Sequence, residues 1–190
     1  MIVIEPCELT DASDIELIPI CESEDFLKDM HAYSILDEFY AFLEFDAFKS
    51  FEETRLYLNT LIDRSLSPKC QYWFIKLKNE QEIVGTIGLH SLNTLRLSAE
   101  IGYGVSPKFQ GRGVFSNSLN LVLSHAFVTL GLNRIAAHTD SRNEASIKGL
   151  LRGGFFFEGL MRSYYRSVSG KYSDCSVFSK LSSEHKRGYD

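Results

Sequence analysis

The chain has 190 residues, 44% of them hydrophobic and 24% charged, with a formal net charge of −5. This length suits one domain with a sizeable core, and the acidic balance argues against the broad basic surface of a nucleic-acid-binding protein. No apolar run approaches the roughly 20 residues that cross a membrane, and the N-terminus lacks the basic and apolar regions of a signal peptide. We therefore expect a cytoplasmic protein that binds neither nucleic acid nor a membrane.

Neither the cysteines nor the histidines show a metal-binding spacing. The cysteines form no C-x-x-C pair, so we expect reduced, buried thiols at Cys7, Cys21, Cys70 and Cys175. The histidines are scattered, and each is expected to be a surface residue or a hydrogen-bonded core residue; they are His31, His90, His125, His138 and His185. No metal site is predicted.

The chain begins with the pattern of a strand and a helical segment. Ile2–Ile4 is an apolar run that a proline soon ends, which predicts a first strand. Thr10 and Asp11 are candidate N-caps for helical spacing over Ala12–Met30. Pro19 lies inside that segment, so we expect a break or kink there.

Residues His31–Phe51 are rich in aromatic side chains and fit no single element. They predict either a helix with a loop that covers a ligand cleft or a core-facing helix, and burial frequencies favour the core for most of these side chains. Ser50 and Glu53 then form a capping box for a helix over residues 51–66.

Three strands separated by short polar turns follow. Alternating apolar residues mark Tyr72–Leu77, Glu82–Leu92 and Leu95–Val105. In the third strand, Leu95 and Leu97 are expected on the apolar face. Strands joined by such short turns predict an antiparallel meander.

Helices and strands then alternate. Helical spacing over Val114–Leu130 precedes a short strand over Arg134–Thr139, which predicts a parallel crossover. A second helix is expected over Asn143–Arg152, with Leu150 and Leu151 turned inward.

Two final strands are expected, one from Phe155 onward and one over Ser176–Leu181. The predicted fold class is α/β (α+β mixed), in which an antiparallel meander is followed by a βαβ crossover and a central, twisted, mixed sheet is flanked by helices. We expect one domain over residues 1–182 and a polar C-terminal tail over residues 183–190.

A glycine-bearing loop stands between the meander and the first crossover helix. Its glycines tolerate unusual backbone angles, and the helix after it presents unpaired N–H groups and a positive dipole end, which together suit phosphate. The P-loop is excluded because no Lys-Ser or Lys-Thr follows the glycines. The dinucleotide motif G-x-G-x-x-G is excluded because Ser116 stands in place of its third glycine.

The same loop resembles the Q/R-x-x-G-x-G/A motif of the GCN5-related N-acetyltransferases, the GNAT family. The resemblance implies that this loop binds the pyrophosphate of acetyl-CoA, through Gln110, Gly111, Arg112, Gly113, Val114, Phe115 and Ser116. Phe115 replaces a small residue of the motif. We expect its side chain in the core and its N–H toward the ligand.

The distal half is similar to the RimJ/RimL branch of that family. Residues 143–162 follow the pattern N-x-x-S-x-x-x-L-x-x-x-G-F…E-G-x-x-R, and Ala99–Tyr103 matches the A-E-I-G-Y strand of the branch. The resemblance covers roughly residues 83–180 and implies a GNAT fold, acetyl-CoA as co-substrate, no metal, and an amine acceptor. This branch acetylates protein N-terminal amines.

The resemblance also implies roles for single residues. Asn143 would cap its helix and also hold the pantetheine arm or a water, and Ser146 would contact the cofactor and protonate the departing thiolate. For Ser146 the alternative is a local hydrogen bond to the backbone. Glu100 is the candidate general base, acting through water, with a salt bridge as its alternative. Some relatives have a carboxylate where this chain has Tyr164 and Tyr165, and Tyr165 is a candidate acid.

The strand over Ile101–Val105 would contribute main-chain groups. In the family it separates from the next parallel strand, and the pantetheine arm pairs with its edge. Tyr103 and Val105 would therefore bind the cofactor, and an N–H near Val105 would polarise the thioester carbonyl. Gly104 stands where the branch usually has Trp, so a wider cleft is expected.

These features predict an acetyl-CoA-dependent N-acetyltransferase that transfers the acetyl group directly to an amine, in the first instance a protein N-terminal α-amine. The rivals are an acetyltransferase of a polyamine, amino sugar or amino acid, and a non-catalytic acyl-CoA-binding protein. The acceptor, the general base and the oligomeric state stay open, with a homodimer as one option.

Overall fold

The computed structural model describes residues 6–185. In that range, five α-helices pack on one eight-stranded sheet. The strands are β1 (Leu9–Thr10), β2 (Ile15–Pro19), β3 (Gln71–Leu77), β4 (Glu82–Asn93), β5 (Ser98–Val105), β6 (Arg134–Asp140), β7 (Phe156–Arg166) and β8 (Tyr172–Leu181). The helices are α1 (Glu24–Ser34), α2 (Asp37–Tyr40), α3 (Phe51–Ser65), α4 (Val114–Ser124), which continues as a π-helical turn over His125–Thr129, and α5 (Glu144–Arg152).

The sheet is mixed, and its strand order is β1-β2-β3-β4-β5-β6-β8-β7. β3, β4 and β5 form the antiparallel meander, and the chain then crosses through α4 to β6, which pairs parallel with β5. Alternation explains the meander, because Trp73, Ile75 and Leu77 share one face of β3 and are all buried. The predicted mixed α/β fold is confirmed.

The helix predicted over Ala12–Met30 is wrong in its first half. Ile15–Pro19 is β2, which pairs antiparallel with β3. Ile15 and Leu17 point to the same side of this strand and are 2% and 0% exposed, so a period of two places both side chains in the core. The strand predicted over Ile2–Ile4 lies outside the described residues.

The N-cap predicted for the first helix is wrong, whereas the N-cap predicted for α3 is right. Thr10 belongs to β1, and α1 is capped by Ser23, whose hydroxyl accepts a hydrogen bond from the Phe26 amide. The cap of α3 is the predicted one, since the Ser50 hydroxyl accepts from the Glu53 amide at 3.2 Å. The Glu53 carboxylate reaches back to an amide one residue before Ser50.

The third meander strand begins at Ser98, later than predicted. The Asn93 side-chain oxygen accepts hydrogen bonds from the two amides that follow Thr94, which closes a turn. Leu95 is 96% exposed and Leu97 has a φ of 51° in that turn, so neither lies on the apolar face. Leu151 of α5, which was also predicted to face inward, is 50% exposed.

The prediction of four buried thiols is right only for Cys175. Cys7 and Cys70 are partly exposed and Cys21 is exposed, and all four are free.

Both faces of the sheet carry a hydrophobic core. On one, which we call the α4 face, strand residues such as Ile101 pack with Leu119 and Leu150 of the crossover helices. On the other, the α1 face, Phe74 and Ile83 pack with α1 and α3. Over residues 6–185, no helix combines the length and the apolar character needed to cross a membrane.

Candidate active site

The two parallel strands at the centre of the sheet separate at their carboxyl ends. β5 pairs with β6 over Ser98–Ile101. Beyond that point β5 stays with β4 as far as Val105, while β6 stays with β8 as far as Asp140. A cavity of about 550 Å³ opens between the diverging strands, and we call it the gap cavity. A strand edge inside such a gap offers N–H and C=O groups to an extended ligand.

Both strands and the start of α5 line the gap cavity. On this wall the structure brings together Ile101, Gly102, Tyr103, Gly104, His138, Thr139, Asp140, Asn143 and Ser146. The predicted cofactor contacts Tyr103, Asn143 and Ser146 are therefore neighbours. Val105 ends the same strand edge.

The glycine loop leads from the end of β5 into α4. Gly111 and Gly113 have φ values of 75° and 80°, which favour glycine, and Gly113 is the N-cap of α4. A Cβ at either glycine would meet nothing within 4 Å, so the space over the loop is open. The first intrahelical bond runs from the Asn117 amide to the Gly113 carbonyl. The amides of residues 114–116 lie before it, where helix geometry supplies no backbone partner.

The side chains of the loop are tied to its surroundings. Gln110 donates to the Val105 carbonyl at 3.3 Å, which links the loop to the strand edge. Arg112 forms an ion pair with Glu80 at 2.6 Å. Both side chains of this ion pair are exposed, so the pair adds little stability. The guanidinium stays at the loop surface.

Phe115 is only partly buried, so the expected core position holds in part. Its ring lies 4.2 Å from that of Tyr103, centroid to centroid. It also covers Gly149 of α5, where a Cβ would come within 2.7 Å of the Phe115 ring. The ring therefore joins β5, α4 and α5 beside the gap cavity.

Asn143 and Ser146 sit at the N-terminus of α5. The Asn143 side chain caps the helix by accepting from the Ser146 amide at 3.1 Å. The Ser146 hydroxyl is 2.6 Å from that of Tyr103. Burial raises the pKa of Tyr103 to about 12, although its bond with Ser146 lowers it somewhat. Tyr103 therefore stays protonated at neutral pH and can donate through Ser146.

Glu100 does not line the gap cavity, but two histidines beside it do. Its carboxylate lies 3.1 Å from Nδ1 of His138, and His90 is its cross-strand partner on β4. These two histidines are scattered in sequence, but the register of β4, β5 and β6 brings them together beside Glu100. Across residues 6–185, no group of three or more His, Cys, Asp or Glu residues could hold a metal ion.

Tyr165 lines the gap cavity from β7, whereas Tyr164 is half exposed. The Tyr165 hydroxyl is 3.6 Å from the Cys175 sulfur. Burial, followed by this contact, raises the pKa of Tyr165 well above its usual value. The side chain can donate a proton at neutral pH only as a very weak acid.

Aromatic side chains of α1, α2, α3 and the segment that joins α2 to α3 form the outer wall of the gap cavity. This aromatic wall consists of Tyr33, Phe39, Tyr40, Phe42, Phe45 and Tyr57. The preference for core positions is right for Tyr33 and Tyr40, which are buried, and wrong for Phe42 and Phe45, which are 38% and 42% exposed. The alternative of a segment that covers a cleft describes this region better.

Phe39 fills the space beside Gly104. A Cβ on Gly104 would lie 2.6 Å from the Phe39 ring. The wider cleft expected from the missing side chain at position 104 is therefore wrong, because a side chain from α2 occupies that volume.

Of the two carboxylates of the cavity wall, Asp140 is paired with a cation and Glu44 accepts a backbone hydrogen bond. Asp140 accepts hydrogen bonds from Arg142 at 2.7 and 2.8 Å and from the Ser173 hydroxyl. The Arg142 bonds hold the pKa of Asp140 at about 2. Glu44 accepts from the Arg166 amide at 3.2 Å. Arg64 supplies a positive charge on the same wall.

The chain was compared with known proteins. Residues 5–155 match the acetyltransferase (GNAT) domain family. An uncharacterized N-acetyltransferase, p20, from Bacillus licheniformis is 30% identical over 76% of this chain and 80% of its own length. An uncharacterized N-acetyltransferase, YoaA, from Bacillus subtilis is 39% identical over 56% of this chain, and the match spans about 60% of that relative.

Two functions recur among the more distant relatives. The ribosomal-protein-serine acetyltransferase of Escherichia coli is 28% identical over 54% of this chain and 56% of its own length. The crystal structure of the Vibrio cholerae spermidine N-acetyltransferase with CoA and spermine superimposes with a TM-score of 0.75 at 20% identity, over 90% of this chain and 97% of the other. That likeness shows the fold alone. The family match over most of the chain, together with the strand gap and the glycine loop, places this protein in the GNAT family of N-acetyltransferases, which use acetyl-CoA.

Proposed function

We propose that this protein transfers the acetyl group of acetyl-CoA to the α-amine at the N-terminus of a peptide or protein. The loop over residues 110–116 would hold the pyrophosphate, because open space lies over two left-handed glycines at the start of α4. The pantetheine arm would pair with the free edge of β5, and Asn143 would fix its position at the end of the gap. These residues fit the cofactor in size and in hydrogen-bonding character.

The charges on the cavity wall support this choice of acceptor. A polyamine brings several ammonium groups, and each needs a carboxylate partner when it leaves water. The two carboxylates on the wall are Asp140, which already pairs with Arg142, and Glu44, which accepts from a backbone amide. The remaining wall is neutral and largely aromatic and aliphatic, apart from Arg64 and the histidines. Such a site favours an acceptor with one amine and an apolar or polar neutral body.

An α-amine also needs less help to lose its proton. Its usual pKa of about 7.7–8.0 leaves about a third of it neutral at pH 7.5, against about one part in a thousand for a lysine or polyamine nitrogen. A site with few carboxylates facing the acceptor can therefore still use an α-amine. The similarity to a ribosomal-protein-serine acetyltransferase points the same way, whereas the similarity to spermidine acetyltransferases, at 24% identity over 74% of the chain, supports the rival.

The leaving thiolate would receive its proton from the hydroxyl pair of Tyr103 and Ser146. Their separation of 2.6 Å lets one hydroxyl relay to the other. The raised pKa of Tyr103, caused by burial, keeps the proton available over the physiological range. Tyr165 lines the cavity farther out and would serve to position the acceptor or as an alternative donor.

A matched set of acceptors tests the proposal. A peptide with an N-terminal serine and an internal lysine is compared with the same peptide carrying a formylated α-amine, and with spermidine. Release of the CoA thiol gives kcat/KM, and mass spectrometry locates the acetyl group. We expect acetylation at the α-amine with kcat/KM at least about 100-fold above both controls, from the difference in neutral fraction.

Each rival predicts a different result in the same assay. A higher kcat/KM for spermidine than for the free peptide would overturn the α-amine proposal in favour of a small-amine acetyltransferase. Binding of acetyl-CoA in calorimetry without turnover of any acceptor would favour the non-catalytic reading.

A further inference from the structure

Three ionisable side chains meet on the α1 face where β5 and β6 separate. Glu100, His90 and His138 project from adjacent strands on the face opposite Ile101 and Ala137, which are buried in the α4-face core. Both imidazoles line the gap cavity and the carboxylate does not. The group nearest to an acceptor on this face is therefore an imidazole.

Gly102 packs beneath the His90 imidazole. A Cβ on Gly102 would lie 3.5 Å from Nε2 of His90, so that imidazole lies directly over the glycine. Gly102 follows the last residue of β5 that pairs with β6, and His138 follows the last paired residue of β6. The two histidines therefore lie at the point where the strands separate. From there an imidazole can reach an acyl group held between β5 and β6.

The contact with Glu100 fixes the tautomer of His138. The Glu100 carboxylate, when ionised, can only accept a hydrogen bond. At 3.1 Å the partner nitrogen, Nδ1 of His138, must therefore carry the hydrogen. In the neutral ring this leaves the lone pair on Nε2, so the other nitrogen is a proton acceptor.

We propose that His138 is the general base of the acetyl transfer and that Glu100 is a positioning residue that holds its Nδ1–H. The inference rests on the proposed acetyl transfer to an amine, but not on which amine is used. It revises the role predicted for Glu100, since the carboxylate acts through the imidazole rather than through water. In other carboxylate–histidine pairs, too, the carboxylate orients the imidazole and the imidazole accepts the proton.

The proton balance follows from the geometry. Nε2 of His138 takes a proton from the acceptor ammonium, and the freed electron pair forms the C–N bond with the thioester carbonyl carbon. The C–S bond breaks, and its electron pair goes to sulfur. The thiolate takes a proton from the Tyr103–Ser146 hydroxyl pair, which recovers one from the attacking nitrogen through solvent. The imidazolium returns its proton to solvent, so the net products are an amide, a thiol and one released proton.

The two proton transfers take place on opposite sides of the sheet. Tyr103 shares the α4 face with Ile101 and contacts Ser146 of α5, whereas His138 and Glu100 lie on the α1 face. The gap between β5 and β6 connects the two sides. The amine can therefore attack from the α1 face while the thiolate leaves toward the α4 face.

His90 is the alternative base in the same cavity. Its Nδ1 lies 3.2 Å from the Ser91 hydroxyl rather than beside a carboxylate, so nothing of opposite charge fixes its tautomer. Burial lowers the pKa of His90, although the Glu100 charge partly offsets this effect. A neutral His90 keeps the neighbourhood of His138 free of a second positive charge near neutral pH.

Other charged and titratable groups face this site from the surrounding elements. They are Arg64 of α3, His90 of β4, Glu100 and Tyr103 of β5, Asp140 of β6 with Arg142, Tyr164 and Tyr165 of β7, Cys175 of β8, and Glu44 of the segment between α2 and α3. Of these, Glu100 is the one hydrogen-bonded to His138. The orientation of the His138 imidazole should therefore respond first to changes at Glu100.

The decisive experiment compares His138→Asn, Glu100→Gln and a matched control, His185→Asn. Asparagine keeps a donor where Nδ1–H stood and removes the base. His185 packs against Phe127, away from the gap cavity. The readouts are kcat, the acceptor KM and the dependence of kcat on pH, with the best amine of the acceptor panel. Thermal melting and acetyl-CoA binding verify that each variant folds.

We expect His138→Asn to lower kcat about 100-fold with little change in acceptor KM, and to change the dependence of kcat on pH. Glu100→Gln should lower kcat about 10-fold with the acceptor KM little changed, because the Nδ1–H of His138 loses the carboxylate that holds it. His185→Asn should match the wild type. A kcat of His138→Asn within about twofold of wild type, with the same pH profile, would overturn the proposal.

Nitrogen-15 NMR of the imidazoles gives a second test that does not depend on turnover. The neutral ring of His138 should carry its hydrogen on Nδ1, and an Nε2–H tautomer would overturn the inference even if every variant were hard to assay. If peptide α-amines fail as acceptors but a small amine is acetylated, the proposed acceptor fails. The His138 kinetics then proceed with that amine.

Discussion

The ring of Phe39 on α2 takes the place of a side chain at Gly104 on β5. A Cβ built on Gly104 would lie 2.6 Å from Cζ of Phe39, and Phe39 also contacts Tyr33 and Tyr40 through ring pairs of 5.0 and 5.1 Å. A residue of the first third of the chain thereby sets the width of the gap cavity. The acceptor site is built jointly by the sheet and by the aromatic wall.

This relationship predicts coupling between positions 39 and 104. Gly104→Ala should lower kcat/KM about 10-fold, because the Phe39 ring must move. Phe39→Ala should admit bulkier N-terminal residues, and the double variant should recover much of the loss of Gly104→Ala. A double-mutant cycle on kcat/KM with two peptides that differ in the size of their first residue measures the coupling. Strictly additive effects would mean that the two positions do not share one volume.

Gly113→Glu should weaken acetyl-CoA binding at least about 100-fold, since it places negative charge and bulk against the pyrophosphate and weakens the positive helix end. The control is Gly131→Glu. Gly131 also has a positive φ, 66°, with nothing within 4 Å of a built Cβ, but it lies beyond the other end of the helix. Both variants should lose roughly 1–2 kcal/mol of stability from the left-handed backbone. Equal affinities in calorimetry would refute the assignment of the loop.

Removing either hydroxyl of the Tyr103–Ser146 pair should slow the chemical step. We expect Ser146→Ala and Tyr103→Phe each to lower kcat about 10- to 100-fold with the KM for acetyl-CoA little changed. Because burial raises the pKa of Tyr103 to about 12, ionisation of this tyrosine should not reduce kcat up to pH 10. Steady-state kinetics over pH 6–10 check both statements. Ser118→Ala is the control, since that buried hydroxyl of α4 lacks a hydrogen-bond partner within the described residues.

Asp140 should make stability depend on acid pH. Its folded-state pKa of about 2 lies below the ordinary 3.8, chiefly through Arg142. A depressed carboxyl pKa stabilises the fold above pH 4, and this contribution is lost as the pH falls toward 2. The shift corresponds to about 2 kcal/mol.

Urea unfolding at pH 6 and pH 3 tests this dependence on the wild type and on Asp140→Asn. The wild type should lose more unfolding free energy between the two pH values than the variant does. Asp25→Asn, at an exposed ion pair, should behave as the wild type does. Identical losses in the wild type and Asp140→Asn would show that Asp140 is not the titrating group.

The sequence was sufficient for elements whose pattern is local. Period-two alternation located β3 and β4, helical spacing located α4, and Ser50 with Glu53 marked the start of α3. The pattern failed at Ile15–Pro19, where apolar residues three apart fitted a helix until the pairing with β3 decided for a strand. It failed also at Leu95, where the Asn93 side chain closes a turn inside an alternating run.

The sequence predicted only those parts of the candidate site that lie within one contiguous motif. The glycine loop and the Asn143–Ser146 start of α5 are contiguous in sequence, and a family pattern could mark them. The contact of Glu100 with His138 joins residues 38 positions apart, and it depends on the parallel register of β5 and β6. No local spacing encodes that register, so the histidines appeared unrelated.

Two residues of the aromatic wall, Phe42 and Phe45, lie on a segment that adds little to the two cores. Residues 41–46, between α2 and α3, are all exposed, while the cores are formed mainly by the sheet and the longer helices. Substitutions in this segment can therefore change which acceptor enters without unfolding the protein. In the proposed reaction, acceptor choice can therefore change through a few exposed aromatic residues while the acetyl-CoA site stays as it is.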